Sequence, residues 1–216
     1  MLEKMSNFFD DRLEGYEEHM LNCIECADEF YAFTANELPK TENARVLDLG
    51  CGTGLELNYY FNVNPNAMVT GIDLSEKMLS SLKSKFKDKD ITLIQGSYFD
   101  VPFGENIFDG AVSVESLHHF TLEEKIPLYK KIYDALRDNS SFILTDYFSC
   151  SNEEENFHRN ELMRLKQEQG ISDSEFYHYD TPLTTEHETE ALKAAGFTKV
   201  EIINSWGQTS TIKATK

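Results

Sequence analysis

The chain has 216 residues, 40% of them apolar and 12% aromatic, and a formal net charge of −18. That composition suits one sizeable core and excludes a disordered chain; the charge argues against wrapping nucleic acid, which needs clustered Lys and Arg. No apolar stretch reaches the roughly eighteen residues that span a bilayer.

The amino-terminal stretch MLEKMSNFFDDRLEGYEEHM carries acids where a signal peptide has a basic start and an apolar centre, so a cytoplasmic protein is the expectation. Four cysteines suit a reducing compartment. Cys23 and Cys26 form a CxxC in the helical-looking HMLNCIECADEFYAF, and with no second pair to complete a metal site their expected role is helix packing. Strand-length apolar runs follow at Arg45–Leu49, Met68–Ile72, Ile91–Gln95, Phe108–Val114 and Phe142–Thr145. Between them lie amphipathic helices, Leu74–Phe86 with Ser75 as N-cap and Leu122–Arg137 after Thr121, whose spacing to Glu124 is that of a capping box. Such alternation predicts a parallel sheet with helices on both faces and a ligand crevice at the carboxyl ends of the strands. Residues 149–184 read as a polar, helix-prone insertion. Thr185–Glu188 offers another capping box, with a helix to Ala195 and Gly196 beyond it. TKVEIINSW and GQTSTIKAT then form two strands joined tightly at Trp206–Gly207, necessarily antiparallel.

The stretch VLDLGCGTGLE, residues 46–56, carries the chemistry. Strand, glycine loop and helix together let a ligand lie against bare backbone at a helix N-terminus. A dinucleotide site wants GxGxxG, but here Leu55 occupies the third-glycine position and Asp48 sits inside the strand, poorly placed beside a pyrophosphate. The loop therefore favours a cofactor with little or no phosphate. Asp73 ends the second strand, 23 positions after Gly50, where a carboxylate can accept both ribose hydroxyls of an adenosine. Its other possible role is to cap the next helix, although Ser75 is available for that.

VLDLGCGTG, GIDLSEKML and QGSYFDVPFGENIFDGAVSVESLHHF, in this order, resemble a class I S-adenosylmethionine-dependent methyltransferase of the small-molecule type, over roughly residues 44–148. The resemblance implies a Rossmann-like, doubly wound α/β fold. Its seven-stranded sheet is mostly parallel with an antiparallel strand in the carboxyl-terminal hairpin, and the cofactor is S-adenosylmethionine, released as S-adenosylhomocysteine. It implies a single domain: residues 1–43 a helical lid, 44–148 the cofactor-binding core, 149–184 a cap, and 185–216 the last helix and hairpin. Gly50 and Gly52 would line the methionine portion with Cys51 beside them, and Asp73 would hold the ribose. Leu74 and Met78 would pack near the adenine. Ser97 stands where the family usually has an acid for the adenine amino group, which leaves adenine selection to Ser97, to Tyr98 or to stacking. Val114 would offer its carbonyl to the methionine ammonium, and Tyr16, with Phe9 and His19, would belong to the lid. Asp138–Ser141 replaces a common Pro-Gly-Gly turn, without expected consequence.

For the acceptor the expectation is a small molecule, neutral or cationic, with neither nucleic acid nor membrane as partner. His119 is the expected catalytic residue; Glu115, His118, Asp146 and Tyr147 also follow or end central strands and could supply a base. The segment EFYHYD (175–180) either walls the acceptor pocket or packs. A non-catalytic binder of the same cofactor would show the same core motifs.

Overall fold

The computed structural model describes residues 1–172 and 175–216. A two-residue strand β1 (Glu3–Lys4) opens the chain, followed by helices α1 (Met5–Arg12), α2 (Tyr16–Cys23) and α3 (Ala27–Glu37). The helical-looking run holding the CxxC is two helices: Cys23 ends α2, and Cys26, at φ 58, makes the left-handed turn into α3. The first sheet strand, β2 (Arg45–Leu49), leads through the glycine loop into α4 (Leu55–Val63). Then come β3 (Met68–Asp73), α5 (Glu76–Lys85), β4 (Asp90–Gln95), β5 (Phe108–Val114), a 3-10 turn at Leu117–His119, and α6 (Leu122–Ala135). The chain continues through β6 (Leu136–Tyr147), α7 (Asn152–Gln169), the short β7 (Tyr177–His178), α8 (Thr185–Ala194), β8 (Lys199–Trp206) and β9 (Thr209–Thr215).

The strands of the main sheet run in the order β4-β3-β2-β5-β6-β9-β8. Pairing is parallel from β4 through β6 and antiparallel where β9 enters between β6 and β8. The reversal of strand order at β2 opens a crevice outside the ends of β2 and β5, where ligands bind in open α/β sheets. Each face has its own apolar layer. Phe30, Tyr31, Leu57 and Tyr60 from α3 and α4 cover Val46, Val69 and Ile143 on one side. Tyr129, Ile132, Leu192 and Phe197 cover Leu47, Leu49, Phe142 and Leu144 on the other.

Local chemistry accounts for the helix starts. Ser75 accepts from the Met78 N–H at 3.1 Å, and Thr121 and Glu124 form the reciprocal capping box, so α6 starts at Leu122 although Pro127 lies within it. At α8 the cap is Thr184, one residue before the expected Thr185, and it accepts from the His187 N–H. Glu188 is therefore not a capping partner. It is fully buried, 2.6 Å from the Lys125 Nζ, and accepts from the Tyr129 hydroxyl, joining α8 to α6. Helix α6 ends at Ala135, before the expected Arg137, because Leu136 already pairs with Phe108 on β5. The Asp138–Ser141 stretch is a bulge in β6 where Asn139, at φ 64, takes the left-handed conformation a glycine would otherwise supply.

The small β1–β7 pair lies outside the main sheet and links the first residues to the 149–184 insertion. Among the described residues, no helix is long and apolar enough to cross a membrane.

Candidate functional site

Leaving β2, the chain turns through positive φ at Gly50 (71°), Gly52 (47°) and Gly54 (74°). Each glycine has its own reason. A Cβ on Gly50 would stand 2.1 Å from the Ser116 Oγ, and one on Gly54 would press on Phe86 and Leu82 at 3.0 and 3.2 Å. One on Gly52 would only touch the Tyr16 hydroxyl at 3.9 Å, so there the positive φ is what calls for glycine. Asp73 at the end of β3 faces this loop. Its Oδ2 accepts the Gly52 N–H at 2.9 Å and its Oδ1 the Ser75 N–H at 2.8 Å. Burial raises the Asp73 carboxyl above its ordinary range, and these N–H groups pull it back.

A narrow cleft of about 50 Å³ lies here, walled by Met5, Phe9, Tyr16, Gly50, Gly52, Asp73, Leu74, Met78, Tyr98, Glu115, Ser116 and His119. Ten of the residues named from the sequence thus meet in one wall: Phe9, Tyr16, Gly50, Gly52, Asp73, Leu74, Met78, Tyr98, Glu115 and His119. Cys51, Ser97 and Val114 stand outside it. The Cys51 sulfur packs into the sheet over Gly71, the Ser97 hydroxyl accepts the Phe99 N–H in a turn, and the Val114 side chain lies in the core. That leaves main chain alone at Cys51 and Val114 for a ligand. Met5 and Ser116 were missed by sequence reasoning, since neither sits in a pattern that marks it.

Below the loop is a buried acid pair. Burial raises both Asp48 and Glu56, Asp48 the more strongly; the bond between them pushes Asp48 up and holds Glu56 down. Asp48 Oδ2 and Glu56 Oε1 have no other hydrogen-bond partner, as expected of two carboxyls sharing one proton.

The amino-terminal segment closes over this region. The Ser75 hydroxyl donates to Asp10, Lys77 Nζ donates to the Asp10 carbonyl at 3.1 Å, and Glu17 pairs with Lys85. Tyr16 is half-buried with its hydroxyl turned away from solvent over the loop, and this desolvation together with Asp73 raises the hydroxyl well above the ordinary tyrosine value.

A second chamber of about 620 Å³ adjoins the cleft and shares Phe9, Tyr16, Glu115 and His119 with it. Its remaining lining includes Phe8, Arg12, His19, His118, His178 and Asp180, so part of the EFYHYD segment forms its wall. Thr181 N–H donates to the His118 carbonyl at 2.7 Å, which fixes Asp180 beside the histidines. His178 stacks on Phe8 with ring centroids 3.5 Å apart, and its ring is 4.8 Å from that of His119.

Behind this wall Asp146, buried at the end of β6, accepts the Leu117 N–H at 2.9 Å and lies 2.5 Å from His118 Nδ1. Burial alone would lower the His118 pKa, but Asp146 holds it up to about 9, while His118 and Lys125 keep the buried Asp146 below its ordinary value. His119 is pushed down to about 4 by burial and by charged His118. Glu115 is raised to about 7 by burial and by Asp146. At φ 48 it occupies a left-handed conformation, a strain on the order of 1–3 kcal/mol of the kind that clusters at functional sites. The His118–Asp146 pairing spans 28 residues, so neighbouring sequence gave no sign of it.

The family described as "Methyltransferase domain" matches residues 46–139. A methyltransferase of Staphylococcus carnosus whose role is uncharacterized is 30% identical over 179 residues, covering 82% of this chain and 76% of its own. The phosphoethanolamine N-methyltransferase of Plasmodium falciparum is 26% identical over 182 residues, covering 80% of this chain; the match spans 62% of that longer protein. The crystal structure of an S-adenosylmethionine-dependent methyltransferase from Mesorhizobium loti has the same fold, with a TM-score of 0.64 at 18% identity, covering 85% of this chain and 96% of its own. The bare backbone at Gly52, the Asp73 carboxylate and the apolar Leu74, Met78 and Tyr98 fit an adenosyl cofactor. The chain belongs to the class I S-adenosylmethionine-dependent methyltransferase family, and S-adenosylmethionine is its cofactor.

Proposed function

We propose that this chain transfers a methyl group to a small-molecule acceptor held in the chamber beside the cofactor cleft. The common wall carries this reading: Phe9, Tyr16, Glu115 and His119 face both cavities, so a ligand in one borders a ligand in the other. Bound S-adenosylmethionine supplies a methyl group already activated on a sulfonium. The residues' own task is orientation, a contribution on the order of 7–11 kcal/mol in well-aligned systems. Gly50 and Gly52 would present backbone to the methionine portion and Asp73 would accept the ribose hydroxyls, with Leu74, Met78 and Tyr98 against the adenine. Residues 1–43 would act as a lid, with Tyr16 and Phe9 keeping water from the reacting groups, and residues 149–184 as a cap over the acceptor. His119, in the common wall, would be the side chain that touches the acceptor.

Four carboxyls (Asp11, Glu14, Glu115 and Asp180) face the chamber against the Arg12 guanidinium and charged His118, which has its own carboxylate, Asp146, behind it. That balance favours a neutral or cationic acceptor over one bearing phosphate, and over nucleic acid. The free cysteines suit a reducing, cytoplasmic setting.

The test is acceptor-dependent formation of S-adenosylhomocysteine, followed by mass spectrometry across panels of amines, phenols, thiols and carboxylic acids. Methylated product in one class supports the reading. Tight cofactor binding with no transfer to any class would replace it with a non-catalytic binding protein.

A further inference from the structure

We propose that the chamber wall is also a metal site, in which His118 Nε2, His119 Nδ1 and Asp180 Oδ1 bind one divalent transition-metal ion, with Zn²⁺ the best match. The donor set is two imidazoles and one carboxylate, a combination that binds such ions with coordination positions left open. Asp180 Oδ1 lies 3.0 Å from His119 Nδ1 and 3.8 Å from His118 Nε2, and all three ligand atoms fall within 4.8 Å of one another. Ligands about 2.1 Å from a tetrahedral ion stand roughly 3.4 Å apart, so small side-chain adjustments close the site.

Two further observations point to a ligand. His119 Nδ1 and Asp180 Oδ1 are buried and only 3.0 Å apart, yet neither has a hydrogen-bond partner of good geometry. The His119 side chain is only 5% exposed, so water does not readily make good the loss. A cation between the two atoms satisfies both. Second, His118 Nδ1 is already committed to Asp146, which is itself fixed by the Leu117 and Tyr147 N–H groups. This carboxylate–histidine arrangement orients metal-ligating imidazoles in general, and it leaves Nε2 on the side of Asp180. It also decides between two overlapping clusters. Glu115, His118 and Asp146 come together as well, but there His118 would have to use the nitrogen that Asp146 holds.

On binding, the ion replaces the proton on His118 Nε2, which passes to solvent, while Nδ1–H stays on Asp146. The open coordination positions face the chamber. If the methyl-transfer reading is right, these positions favour an acceptor with an oxygen or nitrogen donor able to reach the ion; the metal site itself does not depend on that reading.

The test is calorimetric titration of the metal-free full chain with zinc chloride, with no acceptor present, together with visible absorption of the cobalt-loaded protein. The expected result is one equivalent bound, weakened at least tenfold in Asp180→Asn and in His119→Ala, and unchanged in Cys23→Ser/Cys26→Ser. Cobalt should give d–d bands without a thiolate charge-transfer band. S-adenosylhomocysteine binding by Asp180→Asn, whose position is on a half-exposed loop, reports that the variant is folded. The proposal is overturned if the wild-type chain takes up no stoichiometric zinc. Unchanged binding in folded Asp180→Asn, or binding lost with the cysteine pair, would overturn it equally.

Discussion

Asp73 Oδ2 accepts the Gly52 N–H at 2.9 Å, which ties the end of β3 to the glycine loop after β2. The other oxygen takes the Ser75 N–H, while Ser75 itself caps α5 through the Met78 N–H. Ribose binding and helix capping are thus not rival roles for Asp73. The carboxylate is oriented by two main-chain donors, and each oxygen keeps a lone pair for a ligand hydroxyl.

Replacing Asp73 with Ala is therefore expected to weaken S-adenosylhomocysteine binding by roughly 1.5–3 kcal/mol, the scale of hydrogen bonds to a charged group. Calorimetry on the folded variant checks this. An unchanged dissociation constant would mean that the ribose lies elsewhere.

Stability should hinge on the buried contact between α6 and α8. Lys125 and Glu188 are at most 1% exposed, and Tyr129 completes the cluster. Changing Glu188 to Leu alone leaves an uncompensated ammonium in the core and is expected to cost about 3–5 kcal/mol. Adding Lys125→Met and Tyr129→Phe removes the stranded polar groups and should recover most of the loss in urea melts. If the triple variant is as unstable as the single one, the cluster matters for shape rather than charge.

The acid pair under the glycine loop gives a pH dependence with a definite sign. Asp48 faces Glu56, Asp73 and the Cys51 thiol, and Lys85 acts on Glu56. Because the folded-state pKa of Asp48 is raised, the folded chain keeps a proton that the unfolded chain has already released. Stability then falls as pH rises between the ordinary carboxylate value and the raised one, by up to about 1.4 kcal/mol per pH unit for one proton. Asp48→Asn keeps a donor toward Glu56 without a titrating group, so its thermal melts from pH 5 to 8.5 should fall less steeply than those of the wild type. Parallel curves would show that Asp48 is charged in the folded protein.

Much of this arrangement was legible in the sequence. Parallel strands read as short apolar runs, nearly continuous in the buried β2 and β5, so β2, β3, β5 and even the edge strand β4 could be read to within a residue. The glycine spacing and Asp73 announced a ligand because an ordinary buried strand calls for neither, although Gly50 and Gly54 also turn out to be held by close packing. What escaped depended on distant partners. Thr184 and Thr185 are equally good caps locally, and only the burial of Glu188 against Lys125 decides between them. The two-residue strands β1 and β7 have no periodicity to detect, yet their pairing joins the first residues to the insertion. His118, Asp146 and Asp180 were all named or spanned as candidates, but the links among them appear only when the ends of β5 and β6 meet the insertion.

That junction suggests that the amino-terminal segment and residues 175–180 close together over the strand ends, with Tyr16 above Gly52 and His178 stacked on Phe8. Hydrogen exchange of the full chain with and without S-adenosylhomocysteine tests this most directly. Slower exchange is expected in the Gly50–Gly54 loop, in Met5–Cys23 and in 175–180 when the ligand is bound. Slowing at Gly50–Gly54 alone, with the other two segments exchanging identically in both states, would contradict it.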